Sequence, residues 1–245
     1  MYKQSLQIFL RSLPFLAFVA ATLAGVEAFV DVGTGPKFVV TALLAHYFTY
    51  ACVTGQTWGL NSFYKQTSTA AMQWKPVFFL KYGLLFLPSA IFFILLLNNV
   101  VGSSSIFQSA TEGARFIYVS CLMLASFFVF ACFASIVGTA LPAIIANKDH
   151  SWKCALSRGK STFFLTFWRM TYGPILFGSV HFASLIFATP NLAHAVGTTL
   201  DSSIFIVVVG FFGKLTGFLT TLLTMSALAL AFRSVENQSK DLAEI

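Results

Sequence analysis

The segment Gly138–Met170, GTALPAIIANKDHSWKCALSRGKSTFFLTFWRM, decides how the chain is read. An uncharged apolar run ends at Leu141-Pro142, a short basic stretch follows, and a second long apolar run begins. An apolar span, a basic amphipathic connector and another apolar span make the pattern of a chain that turns at a membrane surface. Composition agrees. Of 245 residues, 57% are hydrophobic and 9% charged, against roughly 25% charged in a soluble domain. So few charges cannot cover a water-facing surface, and a polytopic α-helical membrane protein is the class expected.

Working outward, six runs are long enough for the roughly 20 apolar residues that a crossing needs. They are Ser12–Val30, Lys37–Gly55, Val77–Asn98, Arg115–Ala140, Thr162–Thr189 and Ser203–Phe232. One integral membrane domain, residues 1–245, accounts for the whole length. Charge sets its orientation. Lys3 and Arg11, Lys65 and Lys75, Lys148, Lys153, Arg158 and Lys160, and Arg233 and Lys240 fall in alternate connections. The other three connections hold Asp31, Glu112 and Asp201, with Lys37 and Arg115 at their borders. Because Lys and Arg are retained in short cytoplasmic loops, both termini are placed in the cytoplasm of a bacterial cell, beneath its inner membrane. The net charge of +7 is explained by this bias, and nucleic acid is not expected as a partner. A rival reading takes the basic, then apolar N-terminus through Val26-Glu27-Ala28 as a cleavable signal peptide, which leaves five spans.

The connectors share a device. Leu6, Phe9, Leu10 and Leu13 fall on one helical face, with Lys3, Gln7 and Arg11 on the other. In the central connector Trp152, Ala155 and Leu156 form a narrow apolar stripe, flanked by Lys148, Lys153, Arg158 and Lys160. A third, weaker instance is Thr67–Lys75. Such segments suit the headgroup layer, with basic groups toward anionic lipid. The fold expected is all-α: six transmembrane helices in three hairpins, each entered through an amphipathic cytoplasmic lead-in helix. Small-residue ridges at Ala17/Ala21/Gly25, Ala134/Gly138 and Gly213/Gly217 are expected inside the bundle or at a subunit contact.

The lead-in, the six spans and the central ALPAIIANKDHSWKCALSRGKSTFF resemble the YciC-like membrane proteins. They are also similar to the membrane domain attached to some glycerophosphodiester phosphodiesterases. Pro142, Ala155 and Ser157 stand where those families place a proline, a polar turn and an Ala/Ser-containing segment before the fifth span. The resemblance implies architecture and carries no catalytic residue.

Ionisable residues within apolar spans cost about 2.5–3.5 kcal/mol at a helix centre, so each needs a reason. Lys214 either faces inward, to bind an anion or pair with Glu27, or reaches outward to the surface. Arg169 and Lys81 lie close enough to an expected boundary to snorkel. His46 and His181 are two lone imidazoles, fewer than the three protein ligands of a zinc site. The four cysteines match no metal or redox spacing, and Arg158-Gly159-Lys160-Ser161 lacks the first glycine of a phosphate loop, Cys154 standing in its place. No enzyme, metal or cofactor is expected. The candidate polar site is Lys214, Arg169, Glu27, His46 and His181. The function expected is the handling or passing of a small or lipid-like anionic solute. The alternative is an accessory or assembly subunit of a larger membrane complex. Membrane lipids, a membrane-protein partner or a second copy of the chain are the partners expected. A cysteine placed at position 148 is expected to react with an impermeant maleimide only after the inner membrane is opened. Labelling from outside intact spheroplasts reverses the topology.

Overall fold

A computed structural model describes residues 2–29, 34–55, 75–103, 111–180 and 203–243. They are almost wholly helical, with no strand among the described residues. The helices are α1 (Tyr2–Phe29), α2 (Thr34–Thr54), α3 (Pro76–Ser103), α4 (Glu112–Val137), α5 (Ala140–Ile145), α6 (Trp152–Met170) and α7 (Ser203–Ala243). A π-helical turn, Thr171–Ile175, follows α6, and helix continues over 176–180. Pro174 lies in that turn. Lacking an N–H, it cannot continue the regular ladder, and one wider turn absorbs the mismatch.

Five helices are long and apolar enough to cross a membrane: α1, α2, α3, α4 and α7. The sixth expected crossing, Thr162–Thr189, is described only as far as residue 180. The first half of α6 is polar, with Lys153, Ser157, Arg158, Lys160 and Ser161 in it.

Two expectations about the connectors are corrected. The lead-ins over residues 3–13 and 152–160 are not separate helices. Each is the opening of one continuous helix, α1 or α6. In α6 the reason is local: Ser161 and Thr162 hydroxyls both donate to the Arg158 carbonyl, at 2.8 and 3.0 Å. The backbone at the expected bend therefore stays helical and satisfied. In α1, Pro14 is carried inside the helix, which is pinned at two points ahead of it. Ser5 donates to Ser226 at 2.9 Å, and Ser12 and Tyr47 share a 2.5 Å hydrogen bond. The third lead-in, Thr67–Lys75, lies outside the described residues except for Lys75.

The second correction concerns Leu141-Pro142. Helix α4 stops at Val137, and α5 is a short plug with all six residues buried against the ends of α2, α3 and α7. A tight turn ends α5: Ala146 N–H donates to Pro142 O, and Lys148 N–H to Ala143 O at 2.9 Å. Asn147 sits in it at φ 54°, a left-handed conformation that asparagine tolerates better than most residues.

The bundle has a buried core and an outer surface that is also apolar. Helix α1 lies most extensively on α7, through Ser5, Ile8, Ser12, Leu16, Ala20 and Ala24. Leu6, Leu10 and Phe18 face outward. In lipid, large apolar side chains gain little by turning inward, and small or hydroxylated faces let backbones approach. The ridge on α1 is therefore Ala20/Ala24, not Ala17/Ala21/Gly25. Gly210 of α7 lies against Ala24, whereas nothing stands within 4 Å of a side chain added at Gly25 or Gly217. Ala134 and Gly138 are inside, with Leu228 against Gly138. An aromatic core of Tyr47, Phe48, Phe78 and Tyr82 fills the space between α2 and α3.

Helices α4 and α6 approach closely, and a Cβ on Gly159 falls 1.8 Å from the Ile136 carbonyl oxygen. Gly159→Ala must push the helices apart. A loss of about 1–3 kcal/mol is expected, seen as a lower thermal midpoint in detergent. Gly25→Ala, at an open position, leaves the midpoint unchanged.

Candidate functional site

The fold brings part of the expected polar site together. Glu27, near the end of α1, receives Lys214 of α7 at 2.6 and 2.8 Å. Lys37, near the start of α2, reaches the same carboxylate at 3.3 Å. One carboxylate thus gathers two ammonium groups and ties three helices at one end of the bundle. Arg169 does not join them: among the described residues no hydrogen bond or ion pair links it to Lys214 or Glu27. His46 is fully buried, its ring edge-on to Phe78 at 4.8 Å and stacked on Phe79 at 5.5 Å. His181 lies outside the described residues. No group of three His, Cys, Asp or Glu able to hold a metal gathers among the described residues.

At the opposite end the basic connector is built on α5, its turn and the start of α6. Ser151 caps α6 by accepting from Cys154 N–H at 3.3 Å. Asp149 accepts from Ser151 N–H at 2.8 Å and from the Cys154 thiol at 3.0 Å. The Cys154 and Ser151 hydrogen bonds hold its carboxyl down to about 2. Lys75 donates to the Ile144 carbonyl at 2.6 Å and to Asn147 Oδ1, and burial lowers its ammonium from the usual range. Lys148, Lys153 and Lys160 are exposed, as is Trp152.

Arg158 departs from the lipid-facing stripe expected of it. It is 8% exposed. Its Nη2 donates to the Asp149 carbonyl at 2.8 Å and lies 3.4 Å from Glu236, with its guanidinium over Phe232 at 5.2 Å. Ala155, Arg158, Gly159 and Thr162 form the buried face of α6, so residues three or four apart turn away from the surface together. Arg158 fastens the start of α6 to the end of α7.

The outward face of the same segment borders a groove of about 770 Å³. Leu84, Leu87, Pro88 and Ile91 of α3, Phe133 and Val137 of α4, and Trp152, Lys153 and Leu156 of α6 line it. It is an open groove on the flank of the bundle, not an enclosed cavity. Along α3, Leu84 to Ile91 spans roughly 10 Å. The wall is apolar and cations stand at one end. Lys81 lies one turn before Leu84 on the same face, since 81, 84, 88 and 91 follow three-four spacing. Its ammonium sits 4.6 Å from the centre of the Trp152 ring and donates to the His150 carbonyl. Lys153 flanks that indole from the other side in sequence. Reading Lys81 as a snorkelling residue missed this. The available signal was its phase with Leu84, Pro88 and Ile91.

Compared with known protein families, curated proteins and solved structures, the chain matches none. Geometry alone therefore carries the functional reading.

A double-mutant cycle tests the ion cluster. Glu27→Gln releases Lys214 and Lys37 together, Lys214→Met leaves Glu27 to Lys37 alone, and the double variant removes the Lys214–Glu27 contact from both sides. A coupling of about 1–2 kcal/mol is expected in detergent denaturation. Additive single effects remove the link between α1 and α7.

Proposed function

We propose that this is a non-enzymatic, multi-pass protein of the bacterial inner membrane that holds an anionic, lipid-like solute on its flank. Both termini and the 147–160 connector are on the cytoplasmic side in this reading, and the resemblance to YciC-like proteins belongs to it. The observation that carries it is the groove between α3, α4 and α6, apolar along its length and cationic at one end. An amphiphile has the complementary form: a chain for the wall and a charge for the rim. Trp152 suits the boundary between the two, where indole rings settle at headgroup level. A passage through the bundle centre at Lys214 has less support, because Glu27 already holds that ammonium at 2.6 Å. The accessory-subunit reading rests on a different feature, the outward row of Phe164, Trp168 and Tyr172 on one side of α6 and its following turn, which offers an aromatic face to a neighbouring membrane helix.

The test is amphiphile retention by native mass spectrometry after purification in a neutral detergent. Wild type is expected to retain added anionic amphiphiles over neutral ones of equal chain length. Leu87→Trp, which fills the groove from an outward-facing position, should weaken retention about tenfold without lowering the thermal midpoint. Unchanged retention in Leu87→Trp sinks the reading.

A further inference from the structure

We infer that the groove's cationic end is a site for a phosphate monoester headgroup, with Lys81, set against the Trp152 ring, and Lys153, the next residue and part of the groove wall, as its ligands. This rests on the flank-groove reading and names the ligand class for it. The rim is not merely basic. Asp149 stands in the chain between Lys148 and Lys153, both exposed, and its charge acts on Lys81. Asp149 is turned into its own loop, held by Ser151 N–H and the Cys154 thiol. Arg158, the remaining cation nearby, is committed to Glu236 and the Asp149 carbonyl. His150 lends its carbonyl to Lys81.

Lys81 is 8% exposed, yet its contacts at the rim are an indole face and one carbonyl. Both are attractive but carry no full negative charge, and Asp149, the carboxylate whose charge acts on Lys81, is already bonded to Ser151 and Cys154. A buried ammonium in that position gains most from an anion that replaces part of its lost hydration. A fatty carboxylate or a phosphodiester brings one charge. A phosphate monoester carries about −1.5 to −2 at neutral pH and three acceptor oxygens, enough to meet both lysines at once. Its chains then run down the wall from Trp152 and Leu156 past Leu84 toward Ile91.

The experiment compares phosphatidate, phosphatidylglycerol of identical chains, and oleate, titrated against the purified full chain in neutral detergent micelles. Wild type is expected to bind phosphatidate about tenfold more tightly than phosphatidylglycerol, from one added charge contact at the rim. Lys81→Met should erase that preference while leaving oleate binding in place. Because Lys81 also holds the His150 carbonyl, Lys153→Gln at an exposed position serves as the second variant, and it too should reduce the preference. Equal affinity for the two phospholipids in wild type, or a preference that survives both variants, overturns the inference and leaves the groove reading standing. If none of the three ligands binds, both fail. Competition by soluble glycerol phosphate at the same concentration as phosphatidate also overturns it, since the site is then for free phosphate.

Discussion

The contact between Gly159 and the Ile136 backbone sets the geometry of the basic end. With no side chain between them, α4 and α6 meet main chain to main chain. That fixes where the preceding two turns of α6 lie, and with them Trp152, Lys153 and Leu156. Arg158, one residue earlier, completes the fastening by binding α6 to the end of α7. One face of this short segment thus holds the fold together, and the opposite face forms the groove. In a soluble protein the large residues would be inside. Here large residues are found on both sides: Tyr47, Phe48, Phe78 and Tyr82 are buried while Phe164 and Trp168 face outward, because lipid accepts them there.

Much of the architecture was legible in the sequence. Five apolar stretches became five long helices, with boundaries shifted mainly where helices run past the apolar limit, as α7 does at Arg233–Ala243. The pairing of Lys214 with Glu27 was among the readings open at that stage, because a lone charge in an apolar run invites a partner. The connectors were read less well. An amphipathic pattern with a basic face fits a helix lying flat at an interface and equally the first turns of a crossing helix. Ser161 and Thr162, which keep α6 continuous, decide between them only through hydrogen bonds to a carbonyl.

Arg158 and Lys81 show the limit more sharply. Arg158 is grouped by sequence with the connector's Lys153 and Lys160, and Lys81, inside an apolar span, reads as a residue reaching for the same surface. Their partners, Glu236 and Trp152, are 78 and 71 residues away in the chain. Contacts of that separation follow from how helices are arranged, which the pattern of apolar runs leaves open. Helix α5 is the same case: the apolar run reads as ending at Leu141-Pro142, yet Ala140–Ile145 form a short buried helix against α2, α3 and α7.

Helix α7 has 41 residues, about 60 Å of rod at 1.5 Å per residue, twice the thickness of a bilayer's hydrocarbon core. Lys214 and Glu236, each bound to a different neighbour, are 22 residues apart on it, or roughly 33 Å. The two clasps therefore stand a bilayer's depth from each other on a single stiff shaft. Helix α7 is thus fastened to α6 at one of these points and to α1 at the other, each time by an ion pair.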